Sequence, residues 1–223
     1  GCTDPNATNY DETANVDDGS CTGYPDNGDY SLSFDGVDDF VNIPDSDGLD
    51  GMSELTIQFN MKWDSYPYQT HGKGVAILEK WQNVSPNAVG SYSCYTHHDG
   101  DYLTFMVQTE NNQLGVNIGL SENMALNTWY NISGIYNGEK LYLYLDGIWV
   151  GEVAMTGSVA VTDYNLEFAN AGTPNTTFFD GNIDEVSIWN TALTQEQIQS
   201  YMITPPTGSE EGLVTHYKFN AGS

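Results

Sequence analysis

Between residues 55 and 63 apolar and polar side chains alternate without a break. Leu55, Ile57, Phe59, Met61 and Trp63 fall on one side, and Thr56, Gln58, Asn60 and Lys62 on the other. Successive side chains of an extended strand point to opposite faces. The pattern therefore predicts an antiparallel strand with one face on a core and the other toward solvent. Shorter runs of the same kind occupy 75–79, 103–108, 114–120, 129–136, 141–145, 148–153, 165–169, 183–189 and 213–219. Clusters of Gly, Asn and Asp punctuate them. Asp146-Gly147, between Leu145 and Ile148, suits the positive φ angles of a type I′ hairpin turn. About a dozen short strands at this spacing predict an all-β chain of two antiparallel sheets packed as a sandwich.

One helix is predicted near the C-terminus. Thr194 can cap it, Gln197 three residues on completes a capping box, and Leu193 and Ile198 form a hydrophobic staple across the cap. The alternation is absent from residues 1–23. That stretch is rich in Asp and Asn and is bounded by Cys2 and Cys21. So few apolar groups cannot build a core, and a Cys2–Cys21 disulfide is the expected staple. Residues 24–29 (Tyr-Pro-Asp-Asn-Gly-Asp) have linker chemistry. The division is thus a small disulfide-closed loop unit (1–23), a linker (24–29) and a β-sandwich (30–223). Cys94 is left over and is expected to be a quiet thiol. Cysteine pairing implies an oxidising setting, secreted or at a cell surface, and the chain is expected to be a piece of a longer protein.

Charge narrows the partners. The formal net charge is −26, from 31 Asp and Glu against five Lys and no Arg. Such a field repels nucleic acid and anionic membranes. It leaves divalent cations and neutral or weakly charged polymers as expected partners. The acidity also fits a marine or salt-adapted source, because salt screens the self-repulsion of a charged surface.

Several segments carry a resemblance. Residues 30–41 (Tyr-Ser-Leu-Ser-Phe-Asp-Gly-Val-Asp-Asp-Phe-Val), 179–190 (Phe-Asp-Gly-Asn-Ile-Asp-Glu-Val-Ser-Ile-Trp-Asn) with the helix after them, the hairpin through 129–147, and 212–220 resemble laminin-G-like domains. These belong to the concanavalin A-like lectin jelly rolls. The resemblance implies a two-sheet jelly roll over residues 30–223 that serves mostly for binding. The first unit resembles short Cys-bounded, Asp/Asn-rich calcium-loop modules of large secreted bacterial proteins. For the jelly roll, the resemblance implies a calcium ion between the first strand's turn and the Ile183-Asp-Glu-Val strand. Asp35 and Asp184 would hold it, with Asp38, Asp39 and Asp180 as further candidates. Asp4, Asn6, Asn9, Asp11, Asp17 and Asp18 are candidate calcium ligands in the first unit. Calcium takes six to eight oxygens. The same aspartates could instead fix turns by bonding nearby amides.

No catalytic motif emerges. Glycosidases of this shape place paired carboxylates on one strand face, and no such run exists. Asp184 and Glu185 would point to opposite faces, and arginine-dependent lyase chemistry lacks its arginine. His71, His97, His98 and His216 do not form a zinc pattern. Trp63, Trp129 and Trp189 fit strand patterns as packing groups. Tyr66, Tyr68, His71, Trp81, Tyr92, Tyr95, His97 and Asp99 instead read as loop residues. Their mixture of rings and polar groups suits sugar faces and hydroxyls, although rim packing would explain the aromatics equally well. Three-residue sequons stand at Asn6, Asn131 and Asn175. The sequence thus predicts a calcium-dependent or calcium-stabilised carbohydrate-binding or adhesion module. The alternatives are a structural spacer, or an ancillary or divergent catalytic domain of a polysaccharide-degrading enzyme.

Overall fold

The computed structural model describes residues 1–3, 9–16, 20, 30–66, 74–82, 89–96, 101–170 and 177–220. Two antiparallel sheets face each other. The first contains β1 (Leu32–Asp35), β3 (Leu55–Trp63), β8 (Trp129–Tyr136), β9 (Lys140–Leu145), β10 (Ile148–Ala154), β12 (Asp180–Trp189) and β13 (Leu213–Tyr217). Its order is β1-β12-β3-β8-β9-β10, and β13 also pairs with β12. The second sheet runs β2 (Val41–Ile43), β11 (Leu166–Phe168), β4 (Ala76–Gln82), β5 (Val89–Thr96), β6 (Tyr102–Gln108) and β7 (Gln113–Gly119). A one-turn helix α1 (Leu120–Asn123) follows β7, and α2 (Gln195–Ile203) follows β12.

The alternation in 55–63 becomes β3 with the expected bounds. Leu55, Ile57, Phe59, Met61 and Trp63 are all fully buried between the sheets. They share one core cluster with Tyr92 and Phe105 from β5 and β6 and Phe168 from β11. Packing is tight enough to dictate Gly134 on β8: a Cβ there would lie 2.2 Å from the Phe105 ring. The predicted I′ turn forms, with φ of 50° at Asp146 and 68° at Gly147.

The predicted capping box at Thr194 and Gln197 forms as well. Helix α2 lies on the outer face of the first sheet. There Leu193 and Ile198 pack against Trp189 and Ile135, and Tyr201 stacks on Trp189 at 4.9 Å. That packing buries the outward residues at one end of β3. Gln58 donates from Nε2 to the Ile198 carbonyl at 2.9 Å and to Asn131 Oδ1 at 3.0 Å. The other end of β3, with Asn60 and Lys62, stays uncovered.

β1 and β13 share one edge of β12. Leu32 to Asp35 pair with Ile183 to Asp180, and β13 pairs with Val186 to Trp189. Between them the register shifts at a bulge where Glu185 takes φ of 49°. The Glu185 carboxylate reaches His216 Nε2 on β13 at 2.5 Å.

In the second sheet Lys80 is fully buried. Its ammonium meets Asp45 at 2.6 Å and Asp50 at 3.0 Å, and it donates to the carbonyls of Thr162 and Tyr164. It thereby ties two loops to β4.

Candidate functional site

The uncovered end of the first sheet forms a groove of about 550 Å³. Its floor is two rows of outward side chains. Asp184, Asn60 and Asn131 are register partners across β12, β3 and β8, and Asn182, Lys62 and Trp129 form the next such row. Tyr30 and Ser31 stand at one wall and Met202 of α2 at another. Strand parity places these residues. Trp129 shares its face with Asn131 and Ser133, whereas Tyr130 and Ile132 turn toward the core. Trp129 is 45% exposed.

Hydrogen bonds hold the floor rigid. Asn131 donates from Nδ2 to Asn60 Oδ1 at 2.8 Å and accepts at Oδ1 from Gln58 and Ser133. Its backbone amide donates to Asp146 Oδ1 at 2.8 Å. With all of these made and only 6% of its surface exposed, Asn131 is not an accessible acceptor at its sequon. Asn182 donates to Ser31 at 3.2 Å. Lys62 stands 3.3 Å from Asp64 and brings one positive charge to an otherwise acidic surface. The groove thus combines an exposed indole with amide, carboxylate and ammonium groups. That is the chemistry for a ligand with apolar faces and many hydroxyls.

The chain matches the concanavalin A-like lectin/glucanase superfamily over residues 35–199. It belongs to that superfamily. No curated protein matches it in sequence. Among solved structures it is similar to a candidate carbohydrate-binding protein from Bacteroides ovatus, with TM-score 0.65 and 17% identity. That match covers 85% of this chain and 53% of the other, so the chain spans about half of that relative's length. The heptameric SAP-like pentraxin of Limulus polyphemus matches with TM-score 0.52 and 14% identity, covering 77% of this chain and 80% of the other. The Trypanosoma rangeli sialidase matches with TM-score 0.56 and 12% identity, covering 78% of this chain and 27% of the other. At such identities these likenesses establish the fold alone.

Within the superfamily's jelly roll the expected sites fare differently. Asp35, Asp38 and Asp39 come together at the turn after β1. One carboxylate oxygen from each lies within 4.8 Å of the others, and all three residues are exposed. Asp35 Oδ1 accepts from the Val37 amide and Asp39 Oδ2 from the Asp35 amide, so the cluster also fixes its turn. Asp180 faces Asp35 across the strand pair, but its Oδ2 accepts from the Ser65 hydroxyl at 2.5 Å. Asp184 does not join them. The register puts it four residues beyond Asp180 on β12, roughly 13 Å away at ordinary strand rise. It lines the groove instead.

The expected aromatic loop cluster is corrected too. Trp81 lies in β4, and Tyr92 and Tyr95 lie in β5, so none is a loop residue. Trp81 is 5% exposed and Tyr92 is fully buried. Tyr66 is buried and donates its hydroxyl to the Met124 carbonyl. These rings are committed to packing. Tyr95 is half-buried, and burial raises its hydroxyl pKa. Tyr68, His71, His97 and Asp99 lie outside the described residues, as do Asp4, Asn6, Asp17, Asp18 and Cys21. In the first unit Cys2 is buried and bridges to Tyr10. Asn9 donates to the Ser20 carbonyl. Asp11 accepts from the amide and hydroxyl of Thr13, and those bonds lower its pKa. Cys94 is a free, buried thiol.

Sequence reasoning missed two features. Trp129, read as packing, is the groove's exposed ring; its parity with Asn131 was the available signal. The other is a carboxylate pair on the outer face of the second sheet. Glu79 on β4 and Glu167 on β11 are direct register partners. Glu79 is 3% exposed and accepts from the Ser93 hydroxyl at 3.2 Å. Burial raises the Glu167 carboxyl, although a 3.0 Å bond from Asn170 opposes this. The pair is built from strands 88 residues apart, so no single-strand motif announces it.

Proposed function

We propose that the chain is a carbohydrate-binding domain that docks a neutral or weakly charged glycan in the groove over Asn60, Asn131 and Asn182. The observation that carries this reading is the exposed Trp129 set beside two rows of fixed amide and carboxylate groups. An aromatic face takes the apolar side of a sugar ring, and flanking polar groups fix its orientation. The name of the Bacteroides ovatus relative supports the reading at the level of fold. The strongly acidic surface disfavours polyanions. Adhesion in a secreted or surface setting is the role such a domain would serve. A glycan array tests it: the parent binds neutral saccharides, and Trp129→Ala abolishes binding with an unchanged melting temperature. A parent that binds no saccharide refutes the reading.

We also propose that calcium binds at Asp35, Asp38 and Asp39. The three carboxylates lie close enough to share one ion, and each keeps an oxygen beyond those that fix the turn. Backbone oxygens would complete the six to eight that calcium takes. In the first unit we propose a Cys2–Cys21 disulfide, for the reason that its few apolar groups need a staple.

The Glu79–Glu167 pair favours a second reading, a hydrolytic site. Burial raises the Glu167 carboxyl toward its protonated form, and Glu79 stands opposite it in register. A raised acid beside a second carboxyl group is what a glycosidase site needs. Reducing ends released from neutral polysaccharides by the parent and not by Glu167→Gln would establish it. Binding without release would leave the groove as the function.

A further inference from the structure

A second groove, of about 500 Å³, adjoins the first. It runs between Asn117 and Asn123 on one side and Ile148, Trp149 and Val150 of the β9–β10 hairpin on the other. The two grooves share Tyr130 and Asp146. The shared ridge is fixed. Asp146 donates its amide to the Asn131 carbonyl and accepts from the Asn131 amide, both at 2.8 Å. The Tyr130 hydroxyl accepts from the Ala125 amide at 2.8 Å. Beyond the ridge, Ile148 is 67% exposed and Trp149 52% exposed. The two are consecutive in β10 and so turn to opposite faces: Trp149 pairs with Tyr144, which in turn pairs with Ser133, so Trp149 shares the outer face of the sheet with Trp129. Each groove alone falls in the usual size range for a ligand site.

We infer that the two grooves form one cleft that takes an internal stretch of a linear neutral polysaccharide. Trp129 serves as the stacking platform at one end and Trp149 at the other, with the Asp146 carboxylate as acceptor between them. The inference rests on the carbohydrate reading of the first groove and deepens it from a sugar to a chain. A mono- or disaccharide would fill one groove and leave Trp149 bare. A polyanion would meet Asp146 and Asp184, and among the described lining residues of both grooves Lys62 is the only cation. A protein partner would cover Trp149 but leave the paired amide rows without use.

The test measures affinity by calorimetry for oligomer ladders, disaccharide to octasaccharide, of whichever neutral polysaccharide binds the parent best on an array. With the parent, affinity climbs as the chain lengthens past the first groove. Trp149→Ala flattens that climb and weakens the octasaccharide about tenfold, equivalent to about 1.4 kcal/mol. Trp129→Ala abolishes binding at every length. Trp149 is exposed, so an unchanged melting temperature certifies that its variant is folded. A parent whose affinity is flat with length, with Trp149→Ala indistinguishable from it, overturns the extended cleft and leaves the first groove standing. A parent that binds no oligomer at all overturns both.

Discussion

Replacing Lys80 with methionine keeps most of the stem's volume and deletes the charge at its tip. The structure shows what that would strand. The Lys80 side chain is fully buried, and its ammonium serves Asp45, Asp50 and the carbonyls of Thr162 and Tyr164 within 3.0 Å. The Asp45 side chain is 31% exposed and can return to water. The Asp50 side chain is 6% exposed and cannot. It keeps the Thr162 amide at 2.9 Å and the Ser91 hydroxyl at 3.3 Å, which soften the loss. Removing one partner of a buried ion pair costs about 3–5 kcal/mol, and the retained donors place this case near about 3 kcal/mol. For a domain of this size that corresponds to a melting temperature lower by about 6–12 °C. Thermal and urea unfolding of Lys80→Met, Asp50→Asn and the double variant would measure it. Because much of the cost is the stranded carboxylate, the double variant should be less destabilised than the sum of the singles. A coupling of about 1–3 kcal/mol is expected for groups in direct contact. If Lys80→Met loses less than about 1 kcal/mol, or if the singles simply add, the network does not tie these loops down and the reasoning fails.

Further outcomes can be checked directly. Calcium at 100 times its dissociation constant should stabilise the parent by about 2.7 kcal/mol, so chelation should lower the melting temperature. Asp38→Asn with Asp39→Asn should remove that response, whereas Asp184→Asn should not; equal responses in all three proteins would refute the site. Thiol labelling of denatured, unreduced protein should find one reactive group, Cys94, because Cys2 and Cys21 are paired; three reactive groups would refute the pairing. In the native protein Cys94 should stay unlabelled, since burial holds its pKa far above the ordinary thiol range and keeps reagent out. Glu210 accepts from the amide of Thr207, the amide of Gly208 and the Thr207 hydroxyl, and these bonds take its pKa from 4.5 to about 2. Its folded value is depressed, so its contribution is present above the unfolded carboxylate pKa and is lost as pH falls from there toward 2. An NMR titration of Glu210 with a midpoint near 4.5 would contradict this.

The fold was legible in the sequence where polarity alternates strongly. Residues 55–63, 129–136 and the Asp146-Gly147 turn declare themselves, because one face must avoid water and the other need not. The strand Val89–Thr96 did not. Its core-side Tyr92 and Cys94 alternate with Ser91, Ser93 and Tyr95, so aromatic and polar residues fall on both faces and blur the period. The same blur made Tyr92 and Tyr95 look like loop residues, and Trp81 fell beyond the 75–79 run because a register shift between Lys80 and Trp81 breaks the period. The candidate groove was half legible. Asn60 and Lys62 stood plainly on the solvent face of β3, but their neighbours Asp184, Asn182 and Trp129 arrive only through strand register. The separation of Asp184 from Asp35 is likewise a register fact: they sit 149 residues apart in sequence, and only the pairing of Leu32 with Ile183 decides how far apart they lie.

The abutment of β1 and β13 on one edge of β12 has a mechanical meaning. Both strands run the same way, so β13 ends at Val186 just where β1 begins at Ile183. A polypeptide that joins this edge at Leu32 ends its pairing at Tyr217 a short step away. Tension along such a chain would load the few pairings around the Glu185 bulge and pass by the rest of the sandwich. The groove over β3 and β8 would keep its shape until those pairings gave way. In topological terms the jelly roll is nearly a ring. A permuted chain that joins Asn220 to Tyr30 through a short linker, and opens at an exposed turn elsewhere, should fold to the same sandwich.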